Sequence, residues 1–159
     1  MTFDVKGVAE NVVSGALRRA RNSETTVRLD GPAANAVGDP LMTRRILENL
    51  VDNALLHGGA DVRVRITNDA GRTMIRIEDD GDGLPPQVRT RVFERFNRLP
   101  GGAEGLGLGL AIAHALAQAQ NGSLRLEPDP VLTRFVLELP APTTERSGAI
   151  APPANAPRE

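Results

Sequence analysis

The 159-residue sequence contains no cysteine, no tryptophan and no tyrosine. Without cysteine it forms neither disulfides nor thiolate metal sites, which fits a reducing cytoplasm. With four phenylalanines as its large aromatic side chains, it is not expected to stack on single-stranded nucleic acid. A net charge of −1 gives no basic surface for nucleic acid or anionic lipid. Because it also lacks a membrane-spanning apolar run and a signal-peptide pattern, we expect a globular domain that contacts neither nucleic acid nor a membrane.

The residues that are present suit one folded domain. Hydrophobic residues make up 40% and charged residues 25% of the chain, as in ordinary globular proteins, and the length allows a core that folds alone. Beyond Pro140, proline, alanine and polar residues dominate, which is typical of a disordered tail or linker. We therefore expect a domain at residues 1–140 and a disordered tail at 141–159.

The hydrophobic pattern predicts an α/β fold with helices on one face of a sheet. Three segments repeat apolar residues every three or four positions, as helices do, and others alternate them, as half-buried strands do. Asp4 and Asp39 are the predicted N-caps. The alternating strands have one apolar and one polar face, so helices should cover one side only. The predicted helices cover 5–21, 41–57 and a stretch ending near 120; the predicted strands cover 25–29, 61–68, 73–78, 123–127 and 131–139.

A glycine-rich stretch precedes the last predicted helix. It reads Gly105-Leu106-Gly107-Leu108-Gly109-Leu110. Glycine lets the backbone turn tightly and approach a ligand closely, and the start of a helix presents unpaired N–H groups to an anion. The stretch is a candidate phosphate site, with a plain connector as the alternative.

Three other motifs precede this stretch. The second predicted helix carries Asn49 and Asn53 four residues apart, on a polar stripe that continues to His57. An Asp79-x-Gly81-x-Gly83 turn ends a predicted strand. Next comes a long segment, about residues 82–105, which glycines flank and which contains a Phe-x-x-Phe motif. A segment this long suggests a functional loop, and we expect it to move as a lid.

In this order and spacing, the four motifs resemble the ATP-binding catalytic domain of sensor histidine kinases. That domain belongs to the superfamily of gyrase, Hsp90, histidine kinase and MutL ATPases, and the resemblance covers roughly residues 4–140. It implies the Bergerat fold, a two-layer α/β sandwich with a mixed, mostly antiparallel sheet, helices on one face and a mobile ATP lid. It also implies ATP and Mg²⁺ as ligands.

The resemblance assigns metal and phosphate roles to the polar stripe. Asn53 is the implied Mg²⁺ ligand, consistent with the preference of this ion for oxygen. Asn49 should reach the phosphates or metal-bound water, and the glycine-rich stretch should hold the phosphates. His57 is an implied phosphate contact, although a residue that merely suits the helix dipole is an equal alternative. Glu48 points away from the stripe, and we expect it to be structural or solvated.

The resemblance assigns the remaining roles to the turn and the lid. The Asp79 carboxylate should accept a hydrogen bond from the adenine amino group, while Gly81 and Gly83 let the chain pass close to the base. The alternative is an Asx turn, which we expect of Asp80 and Asp82 more than of Asp79. Arg98 should reach the γ-phosphate, with a solvated surface arginine as the alternative. Phe93 and Phe96 should anchor the lid, with ordinary core packing as the alternative.

Two positions distinguish the chain within the superfamily. ATP-hydrolysing members typically have glutamate where this chain has Asn49, and an amide cannot take a proton. The chain therefore lacks its own general base, as expected when the nucleophile lies elsewhere. Leu56 stands where relatives often carry lysine or arginine, which weakens the case for strong phosphate binding. His114 lies off the expected apolar stripe of its helix, and we predict it to be an inert surface residue.

The implied function is transfer of the γ-phosphoryl group to a histidine on a separate dimerisation and phosphoacceptor domain. That domain lies in the same parent protein or on another chain, and a response regulator acts downstream. The chain is then an excised domain or half of a split kinase, cytoplasmic or the cytoplasmic portion of a membrane-bound sensor. The alternatives are a stand-alone serine kinase of the anti-sigma-factor type, an ATP-hydrolysing machine and a non-catalytic nucleotide-binding module.

Overall fold

The computed structural model describes residues 1–20, 24–57, 61–81, 84, 89, 91–94 and 108–143. Its helices and strands agree with the predicted ones to within a few residues, except that two strands of three residues were not predicted. The elements are β1 (Thr2–Asp4), α1 (Val5–Arg19), β2 (Thr26–Asp30), β3 (Asn35–Val37), α2 (Pro40–His57), β4 (Asp61–Asp69), β5 (Arg72–Asp79), α3 (Gly109–Ala119), β6 (Ser123–Glu127) and β7 (Thr133–Pro140). None of these helices is long and apolar enough to cross a membrane.

The main sheet has five strands in the order β2-β4-β5-β7-β6. Only β2 and β4 run parallel, and α2 forms part of the connection between them, as parallel neighbours require. All other pairs are antiparallel, and β1 and β3 form a separate antiparallel pair. The prediction of a mixed, mostly antiparallel sheet is confirmed.

The turn between β4 and β5 has the chemistry that its hairpin needs. Ala70 and Gly71 both have positive φ, 46° and 78°, which is the backbone of a type I′ turn. Such a turn matches the twist of the two strands and fixes their register. Val64 therefore faces Ile77 across the pair, and both side chains are buried.

The core lies between the three helices and one face of the sheet, as predicted. Alternate residues of β4, β5 and β7 point into it, and α2 supplies its central buried stripe. Two apolar helix residues are exposed although the helical repeat of apolar positions includes them: Leu17 at the end of α1 (46%) and Ile112 on α3 (39%). Each lies at the margin of its helix stripe, where a periodic pattern places the boundary between faces least well.

The other face of the sheet is covered by paired charges. Glu127 lies 3.5 Å from Arg125 and 3.5 Å from Arg134, and Arg125 also contacts Glu138 at 2.9 Å. Beneath these side chains Val136, on the outward face of β7, has no exposed surface. Long charged side chains cover apolar surface with their stems while their heads stay in water. This face is therefore closed by polar side chains, and none of the three described helices packs on it.

Hydrogen bonds join the start of α2 to the end of α3. Asp39 caps α2, since its Oδ1 accepts hydrogen bonds from the backbone N–H groups of Leu41 (2.7 Å) and Met42 (3.2 Å); this confirms the predicted N-cap. The Gln120 Oε1 accepts hydrogen bonds from the Asp39 N–H at 2.9 Å and from the Thr43 hydroxyl at 3.4 Å. The C-terminal end of α3 is thereby fixed to the first turn of α2.

The first and last described residues lie at the same edge of the sheet. The backbone N–H of Gly38 donates to the Met1 carbonyl, and that of Ala141 donates to the Gly71 carbonyl, each at 2.9 Å. The hydroxyl of Thr73 links this region to β3 through the Asn35 carbonyl at 2.8 Å. This edge is formed by the strand ends that meet at the β4–β5 turn. Asp79 ends β5 at the opposite edge, a full strand length away.

Candidate nucleotide-binding site

Asn49 lies against the start of α3. A Cβ atom placed on Gly109 would lie 3.8 Å from the Asn49 Oδ1, so this helix start and the polar stripe of α2 face each other. The Asn49 Nδ2 is buried and has no hydrogen-bond partner among the described residues. A buried donor without a partner is costly in a folded protein, and it can be satisfied by an acceptor from a ligand. The contact brings together two of the four predicted motifs.

The start of α3 presents backbone donors that no described side chain caps. Leu108 occupies the N-cap position and makes no side-chain cap hydrogen bond. Its carbonyl accepts the hydrogen bond from the Ile112 N–H at 2.8 Å, so the first N–H groups of the helix precede the intrahelical ladder. Gly109 and Leu110 form the first turn. The predicted contacts Gly105, Leu106 and Gly107 lie outside the described residues.

Asp79 ends β5 at the edge of the sheet where α2 also ends. It pairs with Val62 of β4. Because β4 begins four residues after His57, the end of α2 and the start of β4 lie at most about 14 Å apart. The Asp79 side chain is buried, with 6% exposed. One carboxylate oxygen accepts a hydrogen bond from the Gly81 N–H at 3.1 Å.

The Asp79–Gly81 hydrogen bond is an Asx turn, which corrects one expectation. We expected this turn of Asp80 and Asp82 more than of Asp79. The Asp80 carboxylate instead accepts from the Asp61 N–H at 2.9 Å and ties the two strands of the hairpin together. Asp82 and Gly83 lie outside the described residues. The turn orients the Asp79 carboxylate at the end of β5.

The end of α2 contributes one amide and one apolar side chain. Asn53 is half-buried, and Leu56, one turn later, is 58% exposed. His57 is the last residue of α2, and its side chain lies outside what the structure describes. Glu48 pairs with Arg44 at 2.9 Å, which confirms its structural reading. Among the described residues, no group of three histidine, cysteine, aspartate or glutamate side chains is placed to hold a metal ion.

The described part of the predicted lid is packed against the body of the domain. Val92 is buried, and the Phe93 ring stacks on the His114 ring with centroids 4.9 Å apart. His114 is half-buried against this ring, so the prediction of a free surface residue is wrong. The contact joins residues distant in the sequence, and no local pattern announces it. Phe96 and Arg98 lie outside the described residues.

Two aspartates at this edge have lowered pKa values. The Thr26 hydroxyl donates to the Asp61 carboxylate at 2.6 Å and is the main cause of the lowered pKa of that group, with Arg28 adding to it. The pKa of Asp129, between β6 and β7, is lowered chiefly by hydrogen bonds from the backbone N–H groups of Leu132 and Val131. Both carboxylates stabilise strand ends beside the candidate site.

A groove of about 680 Å³ lies away from these residues. It is lined by the β4–β5 turn, by residues 33–35 and by residues 141–143. This is the edge opposite Asp79, and the groove includes neither of the α2 asparagines. It is therefore not the site that the motifs indicate.

Comparison with known proteins agrees with this arrangement. The family model described as histidine kinase-, DNA gyrase B-, and HSP90-like ATPase matches residues 38–143. The signal transduction histidine-protein kinase AfsQ2 of Streptomyces coelicolor is 37% identical over 117 residues, which cover 69% of this chain and 22% of AfsQ2. The chain spans between 22% and 27% of the length of such curated relatives.

Two solved structures share the fold at appreciable identity. The mycobacterial sensor histidine kinase MprB has a TM-score of 0.79 at 29% identity, covering 89% of this chain and 98% of that structure. The ATP-binding domain of PrrB from Mycobacterium tuberculosis has a TM-score of 0.74 at 31% identity, covering 90% and 98%. The chain therefore belongs to the histidine kinase-, DNA gyrase B- and HSP90-like ATPase family, as an ATP-binding catalytic domain of the sensor histidine kinase type.

Proposed function

We propose that the chain binds Mg²⁺-ATP and donates the γ-phosphoryl group to a histidine of a dimerisation and phosphoacceptor domain. That domain belongs to the same parent protein or to a separate chain. The transfer is a step of two-component signal transduction, on the cytoplasmic side of a sensor and with a response regulator downstream. The main support is the proximity of the buried, unpaired Asn49 Nδ2 to the uncapped start of α3.

The donors around Asn49 and α3 suit a chain of phosphates. An amide N–H and the N–H groups of a helix start are neutral donors, and the helix dipole adds positive potential there. We assign the phosphates to Asn49 and to residues 105–110, with His57 as a further contact. We assign the γ-phosphate to Arg98, whose guanidinium can pair with two oxygens.

The residues at the Asp79 edge suit an adenine ring and a hard metal ion. We assign the adenine amino group to the Asp79 carboxylate, with Gly81 and Gly83 beside the base. Asn53 offers an amide oxygen, which fits Mg²⁺ because this ion takes few protein ligands and shares phosphate oxygens and waters. When bound there, Mg²⁺ would neutralise part of the phosphate charge.

The chemistry of Asn49 favours an external nucleophile. A carboxylate at this position could take a proton from water or from a hydroxyl, whereas an amide cannot. The imidazole nitrogen of the acceptor histidine attacks with its own lone pair and forms a bond to the γ-phosphorus. The bond between the γ-phosphorus and the oxygen that bridges it to the β-phosphate breaks, and ADP leaves. The residues of this chain hold the phosphates in line and stabilise their charge.

One other function has a specific observation in its favour. Leu56 places an apolar side chain, 58% exposed, where relatives often carry lysine or arginine. A module that binds nucleotide weakly and regulates a partner without transferring phosphate would tolerate this residue.

The product of the reaction tests the proposal. The chain is incubated with γ-labelled ATP, with and without candidate dimerisation and phosphoacceptor domains. We expect label on the acceptor that is lost in acid and retained in alkali, as phosphohistidine is. Acid-stable label would indicate a serine kinase, phosphate release without any acceptor would indicate an ATPase, and nucleotide binding without either would indicate the regulatory module.

A further inference from the structure

Glu78 is a buried acidic residue that directly precedes Asp79 in β5. Only 6% of it is exposed, although it lies on the sheet face on which no described helix packs. Its Oε1 accepts a hydrogen bond from the Arg134 Nε at 3.1 Å, and the two residues are direct partners across β5 and β7. Buried charges in proteins are paired, and this pair fixes β5 at the residue before Asp79.

Arg134 connects the same strand to the β6–β7 turn. Its Nη2 lies 3.4 Å from the Asp129 Oδ2. The other oxygen of that carboxylate accepts hydrogen bonds from the backbone N–H groups of Val131 and Leu132, each at 2.8 Å, so Asp129 orders the turn that it belongs to. One guanidinium group therefore holds Glu78 on β5 and Asp129 in the turn.

The β6–β7 turn also contacts the chain that follows the Asx turn. The Arg89 Nη2 donates to the Asp129 carbonyl at 3.3 Å, and the Arg89 Nε donates to the Leu84 carbonyl at 3.2 Å. Leu84 comes three residues after the Asx turn, whereas the contact through Arg134 lies directly before it. The Asx turn is thus held on both sides by contacts with the β6–β7 turn.

These contacts surround the carboxylate that we assign to adenine. Asp79 pairs with Thr133 of β7, the residue directly before Arg134. Because consecutive residues of a strand point to opposite faces, Glu78 and Arg134 meet on the face opposite the Asp79 side chain. Their ion pair fixes the backbone at the end of β5, while the Gly81 N–H orients the Asp79 carboxylate.

We propose that Arg134 is a positioning residue for adenine recognition. Its contacts with Glu78 and Asp129 hold the end of β5 where the Asp79 carboxylate can accept a hydrogen bond from the adenine amino group. Arg134 acts through Asp79 and does not itself contact the base. This inference rests on the proposed function, because it requires a nucleotide whose base lies at Asp79.

The experiment compares ATP with purine riboside triphosphate, which has a hydrogen in place of the adenine amino group. Calorimetry in Mg²⁺ gives the affinity of wild type and variants for both nucleotides. We expect wild type to prefer ATP about ten- to hundredfold, the range of a hydrogen bond to a charged group. Arg134→Gln should reduce this preference about three- to tenfold, because a displaced carboxylate keeps only part of that bond.

Two further variants show which contacts matter. Glu78→Gln keeps the shape of the side chain but removes its charge, and it should lower the preference in the same direction. Arg125→Gln is the matched control, since Arg125 lies on the same sheet face and also contacts two carboxylates, those of Glu127 and Glu138. Its partner on β7 is Val136, three residues beyond the partner of Asp79, so this variant should keep the preference of wild type.

A ratio of two affinities separates positioning from general stability. A partly unfolded variant loses apparent affinity for both nucleotides by the same factor, which leaves the preference unchanged. In the Asp79→Ala background, Arg134→Gln should not alter the preference further. An unchanged preference in Arg134→Gln, an equal loss in Arg125→Gln or a further loss in the Asp79→Ala background would each overturn the proposal. If Arg134→Gln does not fold, Glu78→Gln decides by the same criteria.

Failure of the proposed function gives a different result. If wild type binds neither nucleotide, the ATP-binding proposal falls and the role of Arg134 falls with it. If wild type binds both nucleotides equally well, nucleotide binding stands, whereas the adenine contact of Asp79 and the positioning role of Arg134 are overturned.

Discussion

Asn53 and Leu56 lie one helical turn apart near the end of α2, and their side chains differ in how they can interact with a bound nucleotide. Asn53 provides a half-buried amide, and Leu56 provides an exposed apolar side chain. If both face the bound phosphates, the first supplies a metal ligand and the second supplies no charge. Phosphate binding in this chain then depends on amides, backbone N–H groups and the lid arginine more than on a lysine.

Replacing Asn53 by alanine should remove the Mg²⁺-dependent part of ATP binding. The amide oxygen is the proposed ligand, and weakening a metal site costs at least about tenfold in affinity. Calorimetric titrations with ATP in Mg²⁺ and in EDTA measure this part directly. Asp52→Ala, at the adjacent exposed residue that pairs with Arg19, should behave as wild type. Unchanged affinity of Asn53→Ala in Mg²⁺ would remove the metal role of Asn53.

Replacing Leu56 by lysine should strengthen ATP binding. An exposed charge near phosphates contributes up to about 1 kcal/mol, or roughly fivefold, and salt screens it. We expect the gain at low ionic strength and its loss at high salt. Leu41→Lys is the control, since Leu41 is 74% exposed at the opposite end of the same helix. If both variants gain equally, the effect reflects net charge rather than the position of Leu56.

At the scale of elements, the relation between α2 and α3 determines the shape of the site. Asn49 meets Gly109 at one end of the pair, and Gln120 meets Asp39 and Thr43 at the other. The two helices therefore run antiparallel, with a polar contact at each end. The Gln120 contact keeps the helix start at Gly109 opposite the asparagine stripe.

Replacing Gln120 by alanine should destabilise the domain. The change leaves the Asp39 N–H without its acceptor, and such a loss costs about 1–3 kcal/mol when the donor stays buried. Urea unfolding gives the free energy of unfolding for each variant. Gln118→Ala, two residues earlier and exposed, should change it by less than about 0.5 kcal/mol. Similar losses in the two variants would mean that the Gln120 hydrogen bonds contribute little.

At the scale of the whole molecule, stability should fall in acid for an identifiable reason. The pKa values of Asp61 and Asp129 are lowered in the folded chain, so the native state binds fewer protons than the unfolded state. Their contribution to stability is therefore fully present above the ordinary pKa of an aspartate and is lost as pH falls through the lowered pKa of the folded state.

Asp129→Ala tests this pH dependence. The variant loses the acceptor for the backbone N–H groups of Val131 and Leu132, so it should be less stable than wild type at pH 7. The difference should shrink as pH falls below about 4, because wild type then loses the same contribution. Urea unfolding at several pH values measures this, with Glu10→Ala on the exposed side of α1 as the control. A difference independent of pH would contradict the electrostatic origin.

Periodicity predicted the larger part of this fold. The buried stripe of α2 and the alternation in β4 and β5 repeat over enough residues to identify their faces. The strands β1 and β3, with three residues each, are too short to show alternation, and their pairing depends on tertiary contacts. The N-cap at Asp39 was predictable because capping is a local hydrogen bond.

The candidate site was predictable only in part, because it is assembled from distant segments. The asparagine stripe is local to α2, but its meeting with Gly109 joins residues sixty positions apart and followed only from the family resemblance. The Asx turn at Asp79 is local, but more than one aspartate of that segment could form it, whereas the stack of His114 on Phe93 depends on the folded chain. No residue pattern distinguishes a histidine that packs against a ring from one that points into solvent.

Both ends of the described chain leave the fold at the edge that carries the β4–β5 turn, a strand length from Asp79. An affinity tag, a fluorescent protein or a surface linker joined at Met1 or directly after Thr143 would thus begin at the edge opposite Asp79 and the proposed nucleotide pocket. Immobilised through either end, the domain would keep that pocket open to dissolved ATP, which makes surface-based titrations a practical format for the variants described above.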